Sequence, residues 1–89
     1  MFEATLVVLS FLAKFNCYPE AYIVPSNATF FLDGVVYIHP DMYKDHVLVH
    51  ELVHDCQWRK HGNAKTYNEW VMRERQAMHL ETVFLEQQE

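Results

Sequence analysis

The stretch Val49-His50-Glu51-Leu52-Val53-His54 sets two imidazoles four residues apart, with a carboxylate beside the first. On an α-helix that spacing puts both rings on one face, offset by about 40°. Two such rings can grip one Zn²⁺, and Glu51 can reach a water on the metal and serve as its general base. The chemistry available to such a group is hydrolysis of a polarised carbonyl. Two imidazoles alone hold an ion poorly, so a third ligand must come from another element.

The helix that carries the motif is expected to start after His39-Pro40, capped by Asp41 with Asp45 near its positive end. It should run to about His61, where Gly62 stops it. Around this helix Val49, Val53 and Cys56 fall to one side of His50 and Leu48 and Leu52 behind it, so apolar residues wrap it nearly all round. That pattern belongs to a helix buried in the middle of a domain. His46, His50, His54, Gln57 and His61 form a polar stripe within about 40° of one line. A metal with its water would satisfy such a stripe, as would a wet groove of uncoordinated histidines, and Gln57 is placed to steady the site.

Thr66-Tyr67-Asn68-Glu69 reads as a capping box that starts a further helix. On its wheel Glu74 falls among Trp70, Val71, Ala77, Met78 and Leu85, while Glu69, Arg73, Arg75, Gln76 and His79 point elsewhere. A carboxylate on a buried face must be paired, protonated or bound to a metal, because isolated burial costs several kcal/mol or more. Glu74 is therefore the expected third ligand, with a structural pairing to a histidine or arginine as the alternative. Glu81, on the same stripe, is the second choice and could instead hold a ligand histidine from behind.

Upstream, the run from Phe2 to Phe15 reads as a core helix, roughly Glu3 to Asn16, ended before Cys17-Tyr18-Pro19. Glu3, Ser10 and Lys14 interrupt it, it lacks a small-residue cleavage site, and it is short of the roughly 20 residues of a membrane span. Ala21 to Val24 is a short strand. Thr29 to Leu32 and Val35 to Ile38 flank Asp33-Gly34, a strong hairpin signal. The expected fold is α+β, one domain over residues 1–89: an N-terminal helix, a small antiparallel sheet of about three strands, the motif helix and a C-terminal glutamate helix.

A content of 51% hydrophobic and 15% aromatic residues in 89 positions indicates one packed core. A net charge of −5, with no basic run longer than Arg59-Lys60, argues against nucleic acid or an anionic membrane as partner. Cys17 and Cys56 lack thiolate metal-site spacing and read as reduced core thiols rather than a bridge, in keeping with a cytoplasmic rather than secreted protein.

His50-Glu51-x-x-His54, followed after 20 residues by Glu74-Arg75-Gln76-Ala77, resembles the gluzincin metallopeptidases. In those enzymes a downstream helical glutamate completes a His/His/Glu zinc site. Asn27-Ala28-Thr29-Phe30-Phe31, then Asp33-Gly34 and Val36-Tyr37, is similar to the edge strand and return strand before the active-site helix of thermolysin-like enzymes. The order of elements is most similar to the single-domain minigluzincins. The resemblance implies a zinc-dependent peptidase with His50, His54 and Glu74 on the metal and Glu51 as general base and acid. It implies that Asn27, Ala28, Thr29 and Phe30 hold the backbone of a peptide substrate. It leaves no room after Glu89 for the second helical subdomain of larger gluzincins, so Tyr67, ahead of His61 and His79, is expected to steady the tetrahedral intermediate. The alternative is a zinc-stabilised binding or regulatory protein with little activity. An open sheet edge would also allow a homodimer.

Overall fold

The computed structural model describes residues 2–88. Along the chain run α1 (Leu6–Ala13), β1 (Tyr22–Pro25), β2 (Phe30–Leu32), β3 (Val35–Ile38), a 3₁₀ turn (Pro40–Met42), α2 (Asp45–His61) and α3 (Tyr67–Gln87). The α+β class and the order of helix, sheet, helix, helix follow the sequence reading.

α1 is shorter than the apolar run that suggested it. The Thr5 hydroxyl accepts a hydrogen bond from the Val8 N–H at 3.2 Å and so fixes the first turn. At the other end Asn16 enters the left-handed region at φ +59°, and the Cys17 N–H closes back onto Leu12 C=O. Only Val8, Phe11 and Leu12 of this helix are buried.

Asp33 and Gly34 both have positive φ, +45° and +85°, as the tight turn between β2 and β3 requires. Gly34 has a second reason to lack a side chain. A Cβ there would sit 3.2 Å from the Trp58 ring, so the hairpin packs directly against α2. The sheet itself differs from expectation. Its order is β1-β3-β2, with β2 antiparallel to β3 but β1 parallel to β3, so it is mixed rather than antiparallel. β3 takes the centre and is the most deeply buried strand: Val36 and Ile38 are fully buried, whereas no residue of β2 is. The hairpin fixes the direction of β2 against β3, and β1 then joins the open side of β3.

α2 begins at Asp45, not at Asp41. Pro40 opens a separate 3₁₀ turn in which the Asp41 N–H donates to His39 Nδ1, and Lys44 occupies the cap of α2 without a side-chain bond. Gly62, at φ +73°, ends the helix as its sequence suggests. Val47, Leu48, Val49, Leu52 and Val53 are all buried, so α2 is the central helix, packed on α1, the sheet and α3. Each such side chain contributes about 1.5–3 kcal/mol on leaving water.

Cys17 and Cys56 form a disulfide that ties the segment after α1 to the outer half of α2, which overturns the expectation of two reduced thiols. Their separation of 39 residues hid a proximity that only the packing of α1 on α2 creates. Asp55, fully buried beside Cys56, fastens the same region. Its Oδ2 accepts from the Glu20 N–H at 2.8 Å and from Arg59 Nε at 2.9 Å.

α3 is capped by Thr66, whose hydroxyl accepts from the Glu69 N–H at 3.1 Å, while the Glu69 carboxylate accepts from the Lys65 N–H one residue before the cap. The buried stripe of α3 runs through Ala77, Leu80 and Phe84. Trp70, Met78 and Leu85, expected from sequence to belong to the apolar stripe around Glu74, are exposed, so Glu74 lies at the margin of the apolar face rather than at its centre. No helix among the described residues is long and apolar enough to cross a membrane.

Candidate metal centre

Helical spacing brings His50 and His54 to the same side of α2, where their rings stand edge to face with centroids 5.1 Å apart. α3 crosses that side and presents Glu74 to both. Glu74 Oε1 lies 3.3 Å from His50 Nε2 and 2.5 Å from His54 Nε2. One ligand atom from each of the three residues falls within 4.8 Å of the others, the arrangement of a three-point metal site. The His50 to Glu74 separation is close to the edge of a tetrahedron with bonds of about 2.0–2.1 Å, the length of a zinc–nitrogen bond, whereas the His54 to Glu74 separation is shorter and is that of a direct hydrogen bond.

The far nitrogens of both rings are also held. His50 Nδ1 lies 3.0 Å from Glu81 Oε1, and His54 Nδ1 lies 2.9 Å from Gln57 Oε1. Glu81 thus sits behind His50, outside the three-residue cluster, and does not compete with Glu74 for its place. Gln57 is fixed in turn, its amide donating to Arg73 C=O at 3.0 Å and to Gln76 Oε1 at 2.8 Å. Such partners set which ring nitrogen faces a metal and how the ring is turned. His46 reaches only 4.0 Å from the other oxygen of Glu81, and His61 is exposed at the end of α2, so the polar stripe divides into a site and two bystanders.

Glu51 is buried at 9% exposure and has no hydrogen-bond partner among the described residues. Burial pushes its carboxyl up from the ordinary carboxylate range; the His50 and His54 charges pull the other way, and Glu74 and Glu81 add to the rise. A carboxylate of raised proton affinity beside two imidazoles and a second carboxylate has the character a general base needs.

These groups open into a cavity of about 370 Å³. β2, one of the two edge strands of the sheet, forms one border, with Thr29, Phe30 and Phe31 on the lining. Of the four residues expected to hold substrate, Thr29 and Phe30 are therefore at the cavity. Asn27 and Ala28 are not, and the Thr29 hydroxyl is occupied by the His39 N–H at 3.0 Å. Tyr67 is likewise not brought into the cavity: it is 75% exposed and stacks on Trp70. Trp58, Trp70 and Arg73 line the cavity without having been singled out from sequence. Arg73 and Gln76 were assigned to other faces of α3 because the wheel was centred on Glu74.

The chain matches no protein-family profile, no curated protein and no solved structure.

Proposed function

We propose that this protein is a small zinc-dependent peptidase of the gluzincin kind. The observation that carries the reading is the convergence of His50, His54 and Glu74, from two helices, on one point beside the buried Glu51. The donor set fits zinc: two imidazole nitrogens and one carboxylate oxygen, each ring braced from behind, with one position left for water. Bound there, zinc supplies a Lewis acid that polarises a carbonyl and lowers the pKa of water toward 7. Glu51 takes the proton from the attacking water and delivers it to the leaving amine. Its raised carboxyl pKa brings it nearer the proton affinity that both transfers need. β2 offers its backbone groups to an extended peptide, and the aromatic side chains at its border exclude water from the bond to be cut.

Metal analysis paired with one substitution tests this. The purified chain should retain one zinc per molecule, and Glu51→Gln should keep the metal while cutting peptide hydrolysis by about 10²–10⁴-fold. Hydrolysis that survives Glu51→Gln refutes the reading.

The exposure of Tyr67 supports a second reading, a zinc-stabilised binding or regulatory protein, because the phenol expected to steady the intermediate is outside the cavity. Stoichiometric zinc with no turnover across a peptide library would establish that one. Under either reading the Cys17–Cys56 bridge supports an oxidising compartment over the cytoplasm. A homodimer through β2 remains a proposal that sedimentation at two concentrations would test.

A further inference from the structure

Arg73 is the one cation among the described residues that line the cavity. Its Nη1 donates to Gly62 C=O at 2.6 Å, and its own carbonyl accepts from Gln57 at 3.0 Å, so both ends of the residue are anchored. No carboxylate among the described residues pairs with it, although Glu74 is its neighbour in sequence and Glu51 shares the cavity. A guanidinium has five N–H donors in a planar fork, and the single bond to Gly62 leaves most of that fork uncommitted. The rest of the wall is aromatic. Phe31 and Trp58 meet edge to face with centroids 6.0 Å apart, and Phe30 and Trp70 border the opening with exposures of 41% and 54%. With a divalent ion on His50, His54 and Glu74, the ion and Arg73 outweigh the two carboxylates of the lining, so the cavity as a whole attracts an anion.

We propose that Arg73 binds the free α-carboxylate of a peptide whose last residue is aromatic or large and aliphatic, so that the cavity acts on C-terminal ends. The carboxylate accepts two N–H bonds from the guanidinium fork, and the last side chain lies among Phe31, Trp58 and Trp70. This assignment rests on the peptidase reading for hydrolysis but not for recognition.

Titration calorimetry of the zinc-loaded full chain with N-acetylphenylalanine and with its amide tests recognition directly. The acid should bind at least about tenfold tighter, the size of one charge-assisted hydrogen bond. Arg73→Gln should bring the ratio towards one, and Arg73→Lys should restore part of it. In the unaltered chain the Arg73 Nε–H resonance should shift with the acid and not with the amide, a readout that does not depend on a variant folding. Equal binding of acid and amide, or a preference that Arg73→Gln leaves intact because the carboxylate sits on the metal alone, overturns the proposal. Hydrolysis of an N-blocked peptide ending in Phe, as acid and as amide, separates the two claims. Equal kcat/KM for both would sink carboxylate recognition and leave the peptidase standing. No cleavage of either, with the binding preference and its loss in Arg73→Gln intact, would sink the peptidase and leave recognition standing.

Discussion

Glu51 and Asp55 are acidic residues one turn apart on the same helix, both withdrawn from water, and their surroundings give them opposite tasks. Asp55 is held by the Glu20 N–H and Arg59 Nε, and Arg59 reaches on to Glu20 with Nη1 at 3.5 Å. Beside it the Cys17–Cys56 bridge closes the same region, so this end of α2 is a fastening. Glu51 has no such partners and faces His50, His54 and the cavity instead. Asp55 Oδ1 is buried without a partner among the described residues, so Asp55 is held through Oδ2 alone. What separates the two acids is that Asp55 is paired with a cation and a backbone N–H, whereas Glu51 opens onto two imidazoles and the cavity. The difference teaches that burial alone does not mark a functional acid. Its opening onto the paired imidazoles and the cavity does.

The largest test of the contrast is on the fastening side. Replacing both Cys17 and Cys56 by Ser should lower stability by about 4 kcal/mol, the chain-entropy value for a bridge of this span, seen as a lower urea midpoint. Zinc content measured under native conditions should change little, since neither cysteine belongs to the cluster. On the site side the order reverses. Glu74→Ala should weaken zinc binding by more than about 100-fold in a chelator competition, whereas Glu81→Ala, acting from behind His50, should fall in the range of about 10–100-fold. The reverse ranking would move the third ligand to Glu81. Asp55→Ala should cost about 2 kcal/mol of unfolding free energy through its two lost hydrogen bonds, again with zinc affinity nearly unchanged.

The smallest effect is the most diagnostic. The folded Glu51 carboxyl sits above its ordinary value of 4.5, so its contribution to stability is present below the unfolded pKa and lost as pH rises through the folded one. Glu51→Gln has no charge to bury. Without metal it should therefore unfold at higher urea than the parent chain at pH 7, and the gap should close as pH falls towards 4.5. If Glu51→Gln proved destabilising at pH 7, the two acids would be alike after all.

Much of the architecture was legible because it is written in short-range pattern. The four-residue spacing of His50 and His54, the Thr66 cap, the Asp33-Gly34 turn and the Gly62 stop each act within a few residues, and each stands where the sequence put it. Glu74 was singled out on the premise that a carboxylate on a packed face needs a partner, and it does lie beside both imidazoles, although its place on that face was misjudged. α3 carries apolar side chains on more than one side, among them Trp70, Met78 and Leu85, so the wheel allowed several rotations and favoured the wrong one. The same misplacement hid Arg73 and Gln76.

Local periodicity by itself determined the helices, the hairpin and the pairing of two imidazoles on one face, because those depend on backbone geometry over a turn or two. Only the tertiary structure decided which side of α3 meets α2, which strand holds the middle of the sheet, that Cys17 reaches Cys56 and that Tyr67 stays outside the cavity. Those outcomes depend on how whole elements share one small core, where the rotation of a helix or the place of a strand is set by the surface it covers. No window of sequence contains that surface.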